Sequence, residues 1–175
     1  MISPEITEKA EHIKLVIFDV DGVLTDGRLH LGPQGEEHKI FHIHDGLGIK
    51  LLQQTGVKVA IITSRQSTAV QQRMLHLGVQ YVYQGMTDKR PAFKELTTKL
   101  QLADEEVAYV GDDLPDLPLV RCAGLGIAVA NAHPLVKQHA NWVTQTAGGA
   151  GAVREICEFI MQAQGNLETI YQHYL

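Results

Sequence analysis

Two acidic residues follow an apolar, β-favouring run near the start of the chain. Residues 15–18 are apolar without interruption, and Asp19, Asp21 and Gly22 come directly after them. Such a run is typical of a strand buried on both faces, as in the middle of a parallel sheet. Ligands bind outside the carboxyl ends of such strands, so Asp19 and Asp21 are expected where chemistry occurs. Taken alone, the stretch fits an ordinary strand and turn equally well.

Further polar residues stand where later strands are predicted to end, after the apolar runs at 57–62 and 107–110, and where a helix is predicted to begin at 88. They are Thr63, Ser64, Lys89, Asp112, Asp113 and Asp116. Burying like charges together is costly unless a cation joins them. Carboxylate oxygens without clustered His and Cys suit a hard cation, so this set predicts a Mg²⁺ site.

A pair of carboxylates beside Mg²⁺ suits phosphoryl transfer. One carboxylate can attack phosphorus, and the other can protonate the leaving oxygen and later activate water. Each motif has a structural alternative, since Thr63 and Ser64 could form a helix cap and Lys89 could be a solvated first-turn residue. Their order at successive strand ends favours the catalytic interpretation.

The elements that would position these residues alternate between strand and helix along the whole chain. This alternation predicts an α/β fold with right-handed crossovers and a Rossmann-like, doubly wound parallel sheet in one domain over 1–175. The expected strands are 15–18, 57–62, 79–83, 107–110, 127–129 and a short sixth at 142–143. The expected helices are 4–11, 45–56, 67–77, 88–100 and 148–164.

Two segments fall outside this alternation. Residues from about 27 to 41 form two partly alternating arms around a Gly/Pro turn, which predicts a β-hairpin inserted after the first strand. The insertion would be a flap over the site or an oligomer contact, and it is too small for a cap domain with its own core. Gly165 separates a tail at about 165–175.

Composition narrows the possible partners. Twenty acidic against fifteen basic residues give a formal charge of −5, which argues against a nucleic-acid surface. No apolar run approaches the length of a membrane span, and the polar start of the chain does not resemble a signal peptide. Cys122 and Cys157 are far apart in apolar patterns, so both are expected to be buried free thiols in a cytoplasmic protein.

Four motifs in order resemble the haloacid dehalogenase (HAD) superfamily of phosphotransferases. They are D-x-D-G-V-L-T-D at 19–26, I-I-T-S at 61–64, Lys89, and G-D-D-x-x-D at 111–116. The resemblance implies that Asp19 is the nucleophile and a Mg²⁺ ligand, Asp21 the general acid/base and a ligand through its carbonyl, and Asp112 the third ligand. It also implies phosphate binding by Thr63, Ser64 and Lys89, with Asp113 and Asp116 in support.

Within the superfamily, four features resemble the 3-deoxy-D-manno-octulosonate (Kdo) 8-phosphate phosphatase family: the hairpin in place of a cap domain, the segment 41–49, the segment 109–118 and the glycine-rich segment 148–155. The resemblance implies hydrolysis of Kdo 8-phosphate to Kdo and phosphate in lipopolysaccharide biosynthesis. It also implies a homotetramer in which neighbouring hairpins and tails close the site. The implied sugar-binding residues are His42, Ile43, His44, Asp45, Gly46, Lys50, Arg65 and Arg73.

The chain departs from that family's pattern at His44, where Arg is frequent, and at Ser64, where Gly is usual. A related nine-carbon substrate, Kdn or N-acylneuraminate 9-phosphate, is therefore an alternative, although Arg65 favours Kdo 8-phosphate. A non-catalytic oligomeric scaffold is a further alternative, opposed by the intact set of charged residues. His42 and His44 could instead form a metal pair. The glycines at 148–151 could form a phosphate cradle or a flexible joint.

Overall fold

The computed structural model describes residues 2–175 and is built on a six-stranded, entirely parallel sheet with flanking helices. The strands in chain order are β1 (Leu15–Phe18), β2 (His30–Leu31), β3 (Glu37–His38), β4 (Lys58–Ile62), β5 (Tyr81–Tyr83), β6 (Val107–Gly111), β7 (Leu125–Ala128) and β8 (Trp142–Val143). The sheet order β5-β4-β1-β6-β7-β8 reverses direction beside β1, as in doubly wound folds. The predicted fold class is confirmed.

The helices are α1 (Pro4–Glu11), α2 (Ile43–Gln54), α3 (Thr68–Leu77), α4 (Arg90–Leu100), α5 (Leu117–Cys122), α6 (Pro134–His139), α7 (Ala152–Ala163) and α8 (Leu167–Gln172). The expected start of α2 at Asp45 was wrong, because His42 caps this helix by accepting a hydrogen bond from the backbone N–H of His44. Sequence periodicity missed α5, α6 and α8, since six residues are too few to show it.

β1 lies at the centre of the sheet because its four side chains are apolar and wholly buried. Phe18 pairs with Ile61 of β4 on one side and with Val110 of β6 on the other. This register brings the residues that follow the three strands to one edge of the sheet. The positions of the candidate site residues are therefore set by strand pairing.

The segment between β1 and α2 contains the predicted hairpin, with β2 and β3 paired antiparallel so that His30 lies opposite His38. Together with the start of α2 it exposes five large apolar side chains, those of Leu29, Leu31, Ile40, Ile43 and Leu47, each 40–75% exposed. Cys157 is buried as expected, but the expectation for Cys122 was wrong, because it lies exposed at the end of α5. Among residues 2–175, no helix is both long and apolar enough to cross a membrane.

Candidate active site

The turn after β1 carries the first two carboxylates of the site. Asp19 is 7% exposed, and its backbone N–H donates to Val110, which extends the pairing of β1 with β6 by one residue. Gly22 adopts a φ of +91°, and a Cβ there would lie 2.0 Å from Oδ2 of Asp112. Glycine is needed at this position for both its backbone conformation and its small size. The missing side chain makes room for the Asp112 carboxylate.

Lys89 lies at the start of α4 and reaches into the site with 3% of its surface exposed. Its Nζ lies 2.6 Å from Oδ1 of Asp116 and 2.9 Å from Oδ1 of Asp19, the second contact lacking hydrogen-bond geometry. Burial alone would lower the pKa of Lys89, but the two carboxylates outweigh it and raise that pKa. The ammonium therefore stays charged beside Asp19.

The carboxylate of Asp116 is fully occupied by protein donors. Oδ1 accepts from Lys89 and, at 2.6 Å, from the hydroxyl of Tyr109. Oδ2 accepts from the backbone N–H groups of Asp112 at 3.0 Å and Asp113 at 3.2 Å. Four donors use the four lone-pair sites of a carboxylate. Asp116 therefore holds its neighbours in place and has no site left for a metal ion, although its carboxylate lies within 4.8 Å of those of Asp19 and Asp112.

The negative charge of this cluster is only partly balanced. Burial, and then the negative charge of Asp116, raise the pKa of Asp19 to about 6. Burial, followed by the charges of Asp116 and Asp19, raises the pKa of Asp112 to about 8. Lys89 is the only cation that the structure places against these three carboxylates among residues 2–175. The site favours a further cation.

One carboxylate oxygen shows where that cation fits. Oδ1 of Asp19 is buried and accepts no hydrogen bond from residues 2–175, although the ammonium of Lys89 lies 2.9 Å away. A buried carboxylate oxygen without a hydrogen bond is costly. Asp19 and Asp112 offer the all-oxygen surroundings that Mg²⁺ prefers. The residues present fit a magnesium ion.

These residues line one cleft of about 290 Å³ at the carboxyl edge of the sheet. The cleft brings together all of the predicted catalytic, metal-binding, phosphate-binding and supporting residues: Asp19, Asp21, Thr63, Ser64, Lys89, Asp112, Asp113 and Asp116. Arg65 also lines it, as the one member of the predicted sugar-binding set that does so. Asp113 is exposed and accepts a hydrogen bond from the N–H of Leu114, so its carboxylate stabilises the turn after β6.

The other predicted sugar-binding residues lie outside this cleft. His44 borders a separate groove with Arg154 and Trp142, and Arg73 borders another with Phe41, over whose ring its guanidinium lies at 5.9 Å. Ile43 and Lys50 are exposed on α2. The rings of His42 and His44 are 4.9 Å apart, but residues 2–175 supply no third ligand that would complete a metal site with them.

Asp45 is placed in the protein interior rather than in the cleft. It is 1% exposed, and its Oδ1 accepts a 2.8 Å hydrogen bond from the backbone N–H of Arg154 in the first turn of α7. Burial raises the pKa of this carboxyl against the lowering effect of that bond. Gly46 is buried beside it, and a Cβ there would meet the guanidinium of Arg73. Within this chain Asp45 packs against α7 and Gly46 packs against α3.

The glycine-rich segment before α7 packs on the catalytic turn. The N–H of Gly149 donates to the carbonyl of Val23 at 3.0 Å, and a Cβ at Gly148 would lie 1.7 Å from the carbonyl oxygen of Gly22. The backbone N–H groups of residues 148–150 all form hydrogen bonds within the protein, which disfavours both alternatives, the phosphate cradle and the flexible joint.

Sequence patterns missed two groups at the site. The sequence pattern places Tyr109 among the apolar residues of a strand. Its hydroxyl reaches Asp116 only once β6 has paired within the sheet, so no local pattern reveals this contact. Lys39, on the hairpin, forms ion pairs with Asp21 and, at 2.6 Å, with Glu37, and its side chain is 3% exposed. An isolated lysine in a short hairpin gives no periodic signal that would reveal such a contact.

The fold and the site define a HAD-like hydrolase. A family model described as haloacid dehalogenase-like hydrolase matches residues 81–156, which include Lys89 and the acidic motif after β6.

The particular family follows from similarity over nearly the whole chain. The 3-deoxy-D-manno-octulosonate 8-phosphate phosphatase of Salmonella typhimurium is 49% identical over 167 residues, which cover 95% of this chain and 89% of that protein. A solved structure of the Moraxella catarrhalis phosphatase of the same name, in complex with magnesium, phosphate and Kdo, is 44% identical, has a TM-score of 0.96 and covers 98% of both chains. The Yersinia pestis structure is 47% identical with a TM-score of 0.93, covering 94% of this chain and 89% of that one. The chain belongs to the Kdo 8-phosphate phosphatase family.

Proposed function

We propose that this protein is a Mg²⁺-dependent phosphatase that hydrolyses Kdo 8-phosphate to Kdo and inorganic phosphate, the step that its family supplies in lipopolysaccharide biosynthesis. The observation that carries the proposal is the convergence of Asp19, Asp21, Asp112 and Lys89 on one cleft. The family membership adds the substrate, because relatives with nearly half of their residues identical carry this activity in their names.

In the first half of the proposed reaction, Asp19 attacks phosphorus. A bond forms between its carboxylate oxygen and phosphorus, the bond from phosphorus to the sugar oxygen breaks, and Asp21 gives a proton to that leaving oxygen. Lys89, already beside Asp19, and the hydroxyls of Thr63 and Ser64 hold the phosphoryl oxygens. Mg²⁺, held by Asp19, Asp112 and the carbonyl of Asp21, would supply charge neutralisation.

In the second half, water attacks the phosphoryl group on Asp19. The new bond joins the water oxygen to phosphorus, the bond to Asp19 breaks, and Asp21 accepts the water proton. Asp21 must therefore act once as an acid and once as a base. Its place at the cleft wall, two residues after Asp19, lets it reach the same side of the phosphoryl group in both steps.

The sugar portion of the substrate needs more contacts than the cleft supplies. A volume of about 290 Å³ is at the lower end for small-molecule pockets, and Arg65 is its only residue from the expected sugar-binding set. We propose that Arg65 contacts the substrate carboxylate. The remaining sugar contacts would come from neighbouring subunits.

A homotetramer is accordingly part of the proposal. The five exposed apolar side chains on the hairpin and the start of α2 support it, because exposed apolar surface in a protein often marks an interaction site. Light scattering coupled to size-exclusion chromatography tests this assembly, with Leu31→Glu expected to lower the measured mass.

A cytoplasmic location is also part of the proposal. The two free cysteines are consistent with it.

The decisive assay is phosphate release with Mg²⁺, comparing Kdo 8-phosphate with Kdn 9-phosphate, sialic acid 9-phosphate and hexose phosphates. We expect kcat/KM for Kdo 8-phosphate to be at least about 100-fold higher, which is ~2.7 kcal/mol of transition-state discrimination. Asp19→Asn is the matched inactive control. Equal, weak activity on every substrate would refute the assigned substrate, and no release at all would refute the phosphatase.

A further inference from the structure

Lys39 is a buried charge with no part in the proposed attack on phosphorus. It follows β3 directly, and only 3% of its side chain is exposed. Burying an ammonium is costly unless carboxylates compensate for the lost water. Two do so here, since Nζ contacts Oδ1 of Asp21 and lies 2.6 Å from Oε1 of Glu37. A lysine held in this way has a fixed position, which suits it for orienting another group.

The contact continues through Glu37 to a third segment of the chain. Oε2 of Glu37 lies 2.6 Å from a guanidinium nitrogen of Arg65, which follows β4. These contacts form a chain that joins the end of β4, the hairpin and the turn after β1, in the order Arg65, Glu37, Lys39 and Asp21. The outer pair is the weaker one, because the Arg65 side chain is 47% exposed and water competes for it.

Lys39 lies outside the set of residues that line the cleft. That set includes Asp21, Lys89 and Arg65, whereas Lys39 borders a separate groove with Phe41 and Arg73. The phosphate-binding ammonium is already supplied by Lys89. Lys39 is therefore placed to act on the substrate only through Asp21.

We propose that Lys39 is a positioning residue that fixes the carboxylate of Asp21 for the second half of the reaction, when this carboxylate accepts the proton of the attacking water. An ammonium has donors only, so it orients Asp21 in the form that accepts a proton. Oδ1 of Asp21 is held by Lys39, and Oδ2 is left buried without a partner among residues 2–175. Oδ2 has no protein partner, so it is the oxygen left to accept the proton once substrate and water enter the cleft that Asp21 lines.

The inference rests on the role proposed for Asp21, and its test separates the two. With p-nitrophenyl phosphate the leaving oxygen needs no proton, so kcat/KM reports the attack by Asp19, and kcat includes the later hydrolysis step. We expect Lys39→Met to lower kcat by about 10- to 100-fold, as a misplaced general base does, and to lower kcat/KM by less than about threefold. Stopped-flow mixing should show a burst of about one equivalent of p-nitrophenolate.

Three further variants make the result specific. Lys39→Arg should restore most of kcat, and Glu37→Gln, which removes the outer support of Lys39, should show the same pattern more weakly. Lys94→Met removes an exposed lysine of α4 and should leave both constants unchanged. Thermal unfolding of each variant reports whether the hairpin change has altered the fold.

Parallel losses of kcat and kcat/KM without a burst would overturn the proposal in favour of a structural role. A raised KM with unchanged kcat would overturn it in favour of direct substrate contact. Failure of the proposed function looks different, since the wild-type protein would then release no phosphate from Kdo 8-phosphate whatever residue occupies position 39.

Discussion

The hydroxyl of Tyr109 donates a 2.6 Å hydrogen bond to Asp116 beneath the floor of the catalytic cleft. Tyr109 is wholly buried, and its pKa is raised well above the usual value by burial and then by the charge of Asp116. Because the phenol stays neutral, its hydroxyl always has a proton to donate in this hydrogen bond. The hydrogen bond fixes one oxygen of Asp116, and this oxygen in turn positions the ammonium of Lys89.

Replacing Asp116 with Asn should impair catalysis through Lys89. An amide has one acceptor oxygen and cannot receive the four hydrogen bonds that the carboxylate receives. We expect kcat/KM to fall by roughly 100-fold, because a buried charged donor loses its partner. Steady-state phosphate release measures this effect.

Two matched variants accompany that measurement. Tyr109→Phe keeps the ring and should lower the free energy of unfolding by about 1 kcal/mol with a smaller loss of activity. Asp113→Asn should cost much less than Asp116→Asn, since Asn caps a helical turn as well as Asp. A loss for Asp113→Asn equal to that of Asp116→Asn would contradict the assigned role of Asp116.

Protein without Mg²⁺ should lose stability as the pH rises. The pKa values of Asp19, about 6, and Asp112, about 8, exceed the value of 3.8 for a free aspartate, so the folded state binds more protons than the unfolded state in this range. The free energy of unfolding therefore falls from about pH 4 to pH 8. With EDTA present, we expect Tm to drop by roughly 5–10 °C or more across this range.

Magnesium should reverse that trend, because the cation replaces the bound protons and binds the ionised carboxylates most tightly. Differential scanning fluorimetry at several pH values, with Mg²⁺ or EDTA, follows both effects. Asp112→Asn should flatten the upper part of the pH dependence and abolish the stabilisation by Mg²⁺. An apo-protein that becomes more stable between pH 5 and pH 8 would show that the carboxylate cluster is not strained.

Gly148→Ala should damage the catalytic turn from outside the cleft. The added methyl group would lie 1.7 Å from the carbonyl oxygen of Gly22, so the backbone on one side must move. We expect a loss of about 1–3 kcal/mol in the free energy of unfolding together with reduced kcat. Gly165→Ala is the control, because its Cβ meets open space and only its φ of +71° is unfavourable. If Gly148→Ala were no more harmful than Gly165→Ala, the buttressing role would be refuted.

Asp45→Ala should act on stability, since the carboxylate caps the first turn of α7 through the N–H of Arg154. Loss of such a cap costs about 0.5–2 kcal/mol, and Asp45→Asn should retain most of it. Urea denaturation measures the difference between the two variants. A raised KM without any change in stability would instead support the substrate contact that the family resemblance implies for this residue.

The parallel sheet and the catalytic set could be predicted because both depend on local patterns. Unbroken apolar runs define buried strands, and polar residues directly after them must lie at one edge once the strands pair in parallel. Asp19, Asp21 and Asp112 are therefore predictable from chain order, Lys89 was expected from the family motif, and the structure brings all four into one cleft. Gly22 is predictable in the same way, because a glycine that directly follows a buried strand indicates a turn.

Contacts between segments that are distant in sequence were decided only by the tertiary structure. Asp45 was expected to begin a helix and to bind the sugar, yet its carboxylate is buried against α7, where it accepts a hydrogen bond from a residue 109 positions away. Lys39 gave no pattern, because its burial depends on how the hairpin folds back onto Asp21. The sequence by itself determined which groups are present and at which strand ends they stand. Packing alone decided which partner neutralises each buried charge, since that depends on distances across the fold.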